Sequence, residues 1–148
     1  MALKKGDYIP QFSALNEKGE MVHSHQILGK PFILFFYPKD DTYLCTKEVC
    51  SFRDANEDFL KSGIQVIGIS GDSVEDHAAF AKKNRLKYPL LSDTGNKIRD
   101  AFGVPRGLLG LLPGRVTFCC DADGKILSII NSSISAEIHV HEALKVYL

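Results

Sequence analysis

Short apolar runs alternate along this chain with longer segments of mixed polar and apolar residues. Residues 32–37, FILFFY, are apolar on both faces, the pattern of a central strand covered on both sides. Val49, Phe52, Ala55, Phe59 and Leu60 then fall on one stripe of a helix over residues 43–62, with Gly63 as its C-cap. Ile64–Ser70 reads as a second buried strand. Asp72 or Ser73 suits the N-cap of a helix running through Asn84, with Val74, Ala78 and Ala81 turned inward. A short strand is expected around Leu90–Leu91 and a helix near residues 95–102. Two strands at Val116–Cys120 and Lys125–Asn131 join through Asp121-Ala-Asp-Gly124, and Ser135–Tyr147 reads as an amphipathic helix. Ahead of all these, Gln11–Leu15 and Glu20–His23 flank Asn16-Glu-Lys-Gly19, a hairpin with glycine in the left-handed position. Two βαβ crossovers and a late hairpin predict an α/β fold: a central mixed β-sheet flanked by helices on both faces, with an N-terminal β-hairpin.

Composition narrows the class. The chain has 148 residues, 45% hydrophobic and 24% charged, which fits one folded domain over residues 1–148 without a stabilising metal or disulfide. Eighteen basic residues balance eighteen acidic ones, and like charges never run beyond a pair, so neither nucleic acid nor an anionic membrane is an expected partner. The longest apolar run, Pro31–Tyr37, falls far short of the ~18 residues needed to span a bilayer. The opening MALKKGDYIPQF lacks the apolar core of a signal peptide. A cytoplasmic location is therefore expected, with an organelle open if a leader is removed ahead of this numbering. Four cysteines at 45, 50, 119 and 120 are too few and too clumped for a secreted disulfide framework, which points to a reducing compartment. Cys119 and Cys120 are adjacent, so a bridge between them would be strained, and alternation lets at most one point inward. They read as strand filler.

The chemistry concentrates where the first buried strand ends: Tyr37-Pro-Lys-Asp-Asp-Thr-Tyr-Leu-Cys45. A helix opening at Tyr43–Cys45 puts Cys45 in its first turn, where free backbone N–H groups and the positive end of the dipole favour a thiolate. A loop at the carboxyl end of a strand is also where α/β sheets carry ligands. Taken alone, Cys45 would more simply be an inert buried thiol. Its company argues otherwise: Thr42 offers a hydroxyl three residues earlier, Pro38 is placed to close the pocket, and Cys50 follows five residues later.

Pro38-Lys-Asp-Asp-Thr42-Tyr-Leu-Cys45 resembles the Pro-x-x-x-Thr-x-x-Cys signature of peroxiredoxins. The following Thr-Lys-Glu-Val-Cys-Ser-Phe-Arg-Asp is similar to the bacterioferritin-comigratory, or peroxiredoxin Q, branch. The likeness extends over nearly the whole chain, through GDYIPQF near the start, GISGDSVEDH at 68–77, YPLLSD at 88–93 and LLPGRVTF at 111–118. It implies a thioredoxin-like fold and a thiol peroxidase acting on hydrogen peroxide and organic hydroperoxides. By the same resemblance Cys45 is the peroxidatic cysteine, Thr42 the hydroxyl that binds the peroxide and Pro38 the shield of the thiolate. Arg115 reaches in from another strand, and Glu48 orients it; without the motif, Arg115 would read as a surface charge on a strand end. Fixed donors aimed at the departing oxyanion are worth about 3–4 kcal/mol each. The branch usually reads Thr-Pro-Gly-Cys, and the bulkier Tyr43-Leu44 here could narrow the entrance or favour organic hydroperoxides.

The resemblance also implies that Cys50 resolves the Cys45 sulfenic acid, giving an intramolecular disulfide that thioredoxin or a glutaredoxin-like dithiol protein reduces, in a monomer. Helix geometry adds a condition. Cysteines five apart on an α-helix have Cα atoms ~8–9 Å apart, beyond the ~7 Å limit for a disulfide, so the first turns must unwind. A sister arrangement with the resolving cysteine in the next helix is argued against, because Asn84 and its neighbours offer none; Cys50 as a passive core residue stays the alternative. No G-x-G-x-x-G or P-loop occurs, and no bound cofactor or metal is expected. A zinc site from the cysteines with His23, His25, His77, His139 and His141 lacks any recognised spacing, and the two His-x-His pairs read as exposed. A thioredoxin-like binding or chaperone module without turnover is the other alternative.

Overall fold

The computed structural model describes residues 3–104, 115–132 and 137–147. Seven strands form one sheet: β1 (Ser13–Leu15), β2 (Met21–His23), β3 (Phe32–Phe36), β4 (Gln65–Ser70), β5 (Leu90–Ser92), β6 (Val116–Cys120) and β7 (Ile126–Asn131). Their order is β2-β1-β5-β4-β3-β6-β7. The centre β5-β4-β3 is parallel, and β1, β6 and β7 join antiparallel, so the sheet is mixed as expected. Among the described residues five α-helices connect or cover it: α1 (Ser24–Ile27), α2 (Tyr43–Lys61), α3 (Val74–Lys83), α4 (Lys97–Phe102) and α5 (Glu137–Tyr147). The first residues of the expected terminal helix, and residues 111–114 of the LLPGRVTF segment, lie outside the described residues.

Every residue of β3 is buried, and alternation deals them to two cores. Phe32, Leu34 and Phe36 pack with Ile98 and Phe102 of α4 and Ile27 of α1. Ile33, Phe35 and Tyr37 pack on the other face with Val49, Phe52 and Phe59 of α2, Phe80 of α3 and Val140 and Ala143 of α5. Phe35 stacks on Phe52 at 4.4 Å between ring centroids, fixing α2 against the sheet centre. Gly68 of β4 makes room for that layer, since a Cβ there would sit 2.8 Å from the Phe35 ring.

Several details depart from the pattern-based expectation. Leu60, expected in the α2 stripe, is 56% exposed; buried Asn56 lies on that side instead. In α3 the inward residues are His77 and Phe80, with Ala78 exposed. The helix near residues 95–102 is a 3-10 turn at Thr94–Asn96 followed by α4, because Gly95 and Asn96 take positive φ. Helix α1 was not expected: a single turn is too short for periodicity to show, although Gln26 Oε1 accepts from the His23 N–H at 2.8 Å. Cys119 and Cys120 do face opposite sides, but both are buried, since helices cover both faces of the sheet.

Candidate active site

The end of β3 determines the site. Tyr37 stays buried after the last β3 residue, the chain turns through 38–42, and Asp41 takes a left-handed φ of 61° to aim it back into α2. Cys45 is the third residue of α2 and 1% exposed. Antiparallel pairing of Phe36 with Val116 brings Arg115, just ahead of β6, beside the same turn. The Arg115 guanidinium spans two partners: Nη2 lies 3.4 Å from Cys45 Sγ, and Nη1 donates to Glu48 Oε1 at 2.6 Å. Glu48 sits three residues along α2 from Cys45, on the same helix side. Both ionic side chains are buried, so Arg115 is no strand-end surface charge.

Burial pushes the Glu48 carboxyl up to about 8, with Arg115 pulling the other way. Burial opposes the charge on Arg115, but Glu48 and Cys45 outweigh it, so the guanidinium holds its proton more firmly than usual. The sulfur of Cys45 therefore meets a fixed cation in a water-poor site.

The remaining expected residues are distributed as follows. Thr42 occupies the N-cap position but its hydroxyl donates to the Lys39 carbonyl at 2.8 Å, not to the sulfur, and it caps no helix N–H. Pro38 is half-buried in the turn. Cys50 lies in the same unbroken helix as Cys45, half-buried, with its thiol donating to Asn84 Oδ1 at 3.5 Å. The two thiols are free. Tyr43 is 77% exposed, with Lys47 Nζ 5.8 Å from its ring centroid.

Residues 5–129 match the AhpC/TSA family. Peroxiredoxin Q of Gentiana triflora, described as chloroplastic, is 49% identical over 97% of this chain, which spans 66% of that relative's length. The Sedum lineare protein of the same description is 47% identical, over 95% of this chain and 76% of its own. The crystal structure of peroxidoxin BcpB from Mycobacterium tuberculosis superposes with a TM-score of 0.90 at 40% identity, covering 98% of this chain and 96% of that one. The chain belongs to the AhpC/TSA family, in its peroxiredoxin Q branch. Its mixed sheet is the thioredoxin-like fold of that family.

Two histidines of this peroxiredoxin were not expected at the site. His139 of α5, read from sequence as exposed, is fully buried: Nδ1 lies 2.8 Å from Thr117 Oγ1 and 3.6 Å from Glu48 Oε2, and Nε2 lies 2.9 Å from the Ser132 carbonyl. Burial pushes it down to about 4. His77 anchors the active-site turn. Its Nδ1 lies 2.7 Å from Asp40 Oδ2, Tyr37 donates to Asp40 Oδ1 at 2.6 Å, and the Asp40 N–H donates to Asp72 Oδ2 at 2.8 Å. The only sequence signal for either was a histidine inside an otherwise apolar helix stripe. Among the described residues, Asp40, Asp72 and His77 are the one cluster whose ligand atoms lie close enough to share a cation. Hydrogen bonds to each other and to the turn already occupy them. Burial pushes the Cys119 thiol up to about 12 and Cys120 higher.

Proposed function

We propose that this chain is a thiol peroxidase that reduces hydrogen peroxide and organic hydroperoxides, with Cys45 as its nucleophile. The observation that carries this reading is the buried Cys45 Sγ, in the first turn of α2, 3.4 Å from the Arg115 guanidinium. The Cys45 thiolate attacks the terminal peroxide oxygen; the S–O bond forms, the O–O bond breaks, and an alkoxide or hydroxide leaves. Arg115, oriented by Glu48, and the helix N-terminus stabilise that departing charge. Thr42 turns its hydroxyl from the Lys39 carbonyl toward the bound peroxide, and Pro38 shields the sulfur. The exposed Tyr43 and half-buried Leu44 supply an apolar rim that suits organic hydroperoxides.

Cys50 then attacks the Cys45 sulfenic acid, forming a disulfide and releasing water. A dithiol protein of the thioredoxin or glutaredoxin type returns two electrons by exchange. A bridge internal to one chain supports a monomer, and four free thiols support a reducing compartment such as the cytoplasm. Among the described residues no helix is long and apolar enough to cross a membrane. The test is intact mass after one equivalent of peroxide. Wild type should lose two hydrogens, Cys50→Ser should gain one oxygen and stop turning over, and Cys45→Ser should not change. Undiminished peroxidase activity in Cys45→Ser rejects the assignment.

A further inference from the structure

Glu48 commits one carboxyl oxygen and leaves the other without a partner. Oε1 receives Arg115, whereas Oε2 is fully buried without a hydrogen bond and faces His139 Nδ1 at 3.6 Å. The His139 ring is fixed from both ends. The Ser132 carbonyl at Nε2 can only accept, so Nε2 carries a hydrogen. The Thr117 hydroxyl at Nδ1 can donate or accept, so Nδ1 is free to be bare or protonated.

A Cys45 thiolate, a Glu48 carboxylate and the Arg115 guanidinium would leave one surplus negative charge in a buried site, which a low-dielectric interior penalises. One proton on Glu48 Oε2 or His139 Nδ1 cancels it, and those two atoms face each other. We infer that Glu48 and His139 form a buried acid pair that holds one proton while Cys45 is a thiolate and gives it up as the sulfur is oxidised.

This rests on Cys45 being the nucleophile. In the oxidation step sulfur loses two electrons to the peroxide, the S–O bond forms, and the departing alkoxide takes up one proton to leave as alcohol. The thiolate's negative charge and the pair's proton disappear together, so the charge of the site is the same before and after. His139 touches neither the sulfur nor the peroxide; it is a positioning residue acting through Glu48 and Arg115. The other groups facing the pair do not supply the proton. Thr117 of β6 and the Ser132 carbonyl are neutral, Arg115 keeps its proton, and burial holds the Tyr88 hydroxyl, ahead of β5, well above its ordinary value. Burial raises Glu48 against the pull of Arg115 and lowers His139 against the pull of the Ser132 carbonyl.

The test follows the Glu carboxyl carbons and His ring nitrogens by NMR in Cys50→Ser, before and after one equivalent of peroxide, with intact mass on the same sample. The Glu48 resonance, assigned by its loss in Glu48→Gln, should move to the ionised position, or His139 from doubly to singly protonated, in step with the gained oxygen. If the oxygen is gained and neither group loses a proton, the inference fails while Cys45 stands. If no oxygen is gained, the nucleophile assignment fails instead. In His139→Leu the pH midpoint of Cys45 alkylation should rise by about one unit, a tenfold loss of thiolate on its acid side. A merely structural role would lower thermal stability and leave the midpoint in place, and an unchanged midpoint in folded protein overturns the inference.

Discussion

Closing a Cys45–Cys50 bond should melt the first two turns of α2 and little else. Both cysteines lie inside the continuous helix Tyr43–Lys61, where a five-residue step puts their Cα atoms ~8–9 Å apart, too far for a disulfide. Opening this segment gives up roughly five backbone hydrogen bonds, starting with the Thr46 N–H on the Thr42 carbonyl, at about 1 kcal/mol each. It also releases the Glu48–Arg115 pair, the Tyr88 bond to the Val49 carbonyl, the Cys50 contact with Asn84 and the surface Lys47–Glu137 pair. The surface pair adds little. In the reduced protein the amides of residues 46–50 should therefore exchange through openings costing at least about 5 kcal/mol, a protection of several thousandfold at 1.4 kcal/mol per tenfold. Hydrogen exchange on fragments covering residues 43–54 should show that protection lost in the disulfide form, with β4 amides at 65–70 unchanged. A quantitatively formed Cys45–Cys50 disulfide with those helix amides still protected would refute the geometric argument.

Two further outcomes follow from the same side chains. Arg115→Met removes the one cation that touches the sulfur among the described residues and should slow single-turnover oxidation of Cys45 by 10²–10³, about 3–4 kcal/mol of barrier, read by stopped flow; a loss under tenfold counts against its role. Burial opposes the charge on His77, but Asp40 and Asp72 outweigh it and raise its folded pKa. The stability His77 contributes should be complete below its unfolded value of about 6.5 and fade as pH rises through the folded one. Urea midpoints of wild type and His77→Asn should accordingly differ more near pH 5 than near pH 9, and a gap that widens toward alkaline pH would contradict this.

The fold was legible because its signals were redundant. FILFFY fitted a strand covered on both sides, and the α2 stripe, Gly63 and the Asp121–Gly124 turn each marked one boundary. The position of the cysteine was legible for a similar reason: a cysteine in a helix's first turn is a local arrangement, spelled within eight residues. The Arg115–Glu48 pair is not local. Spacing alone left Arg115 a surface residue, and only the resemblance joined it to Glu48 across the sheet. His77 and His139 were missed because amphipathic patterning asks how apolar a position is, and a histidine whose both nitrogens are engaged can occupy a core position. Placing Leu60 inside and passing over Asn56, where the structure exposes Leu60 and buries Asn56, is the same error in reverse, since the stripe drifts along a helix of nineteen residues.

Thr42 and α2 together suggest how the reduced site is poised. Thr42, the residue the motif places at the peroxide, spends its hydroxyl on the Lys39 carbonyl, and among the described residues no side chain caps the helix that carries Cys45. An uncapped start forfeits about 1 kcal/mol that Ser, Thr, Asp or Asn at an N-cap commonly provides. The turn ahead of it is held instead from below, through Asp40 to His77, Tyr37 and Asp72. Anchoring therefore sits in the turn at 37–40 and on Glu48, while the stretch between them, which presents Cys45, is bound mainly by its own helix bonds. A segment held at both ends and weak at its start can stay ordered while the sulfur is reduced and still come apart in the proposed disulfide step, without the sheet beneath it having to move.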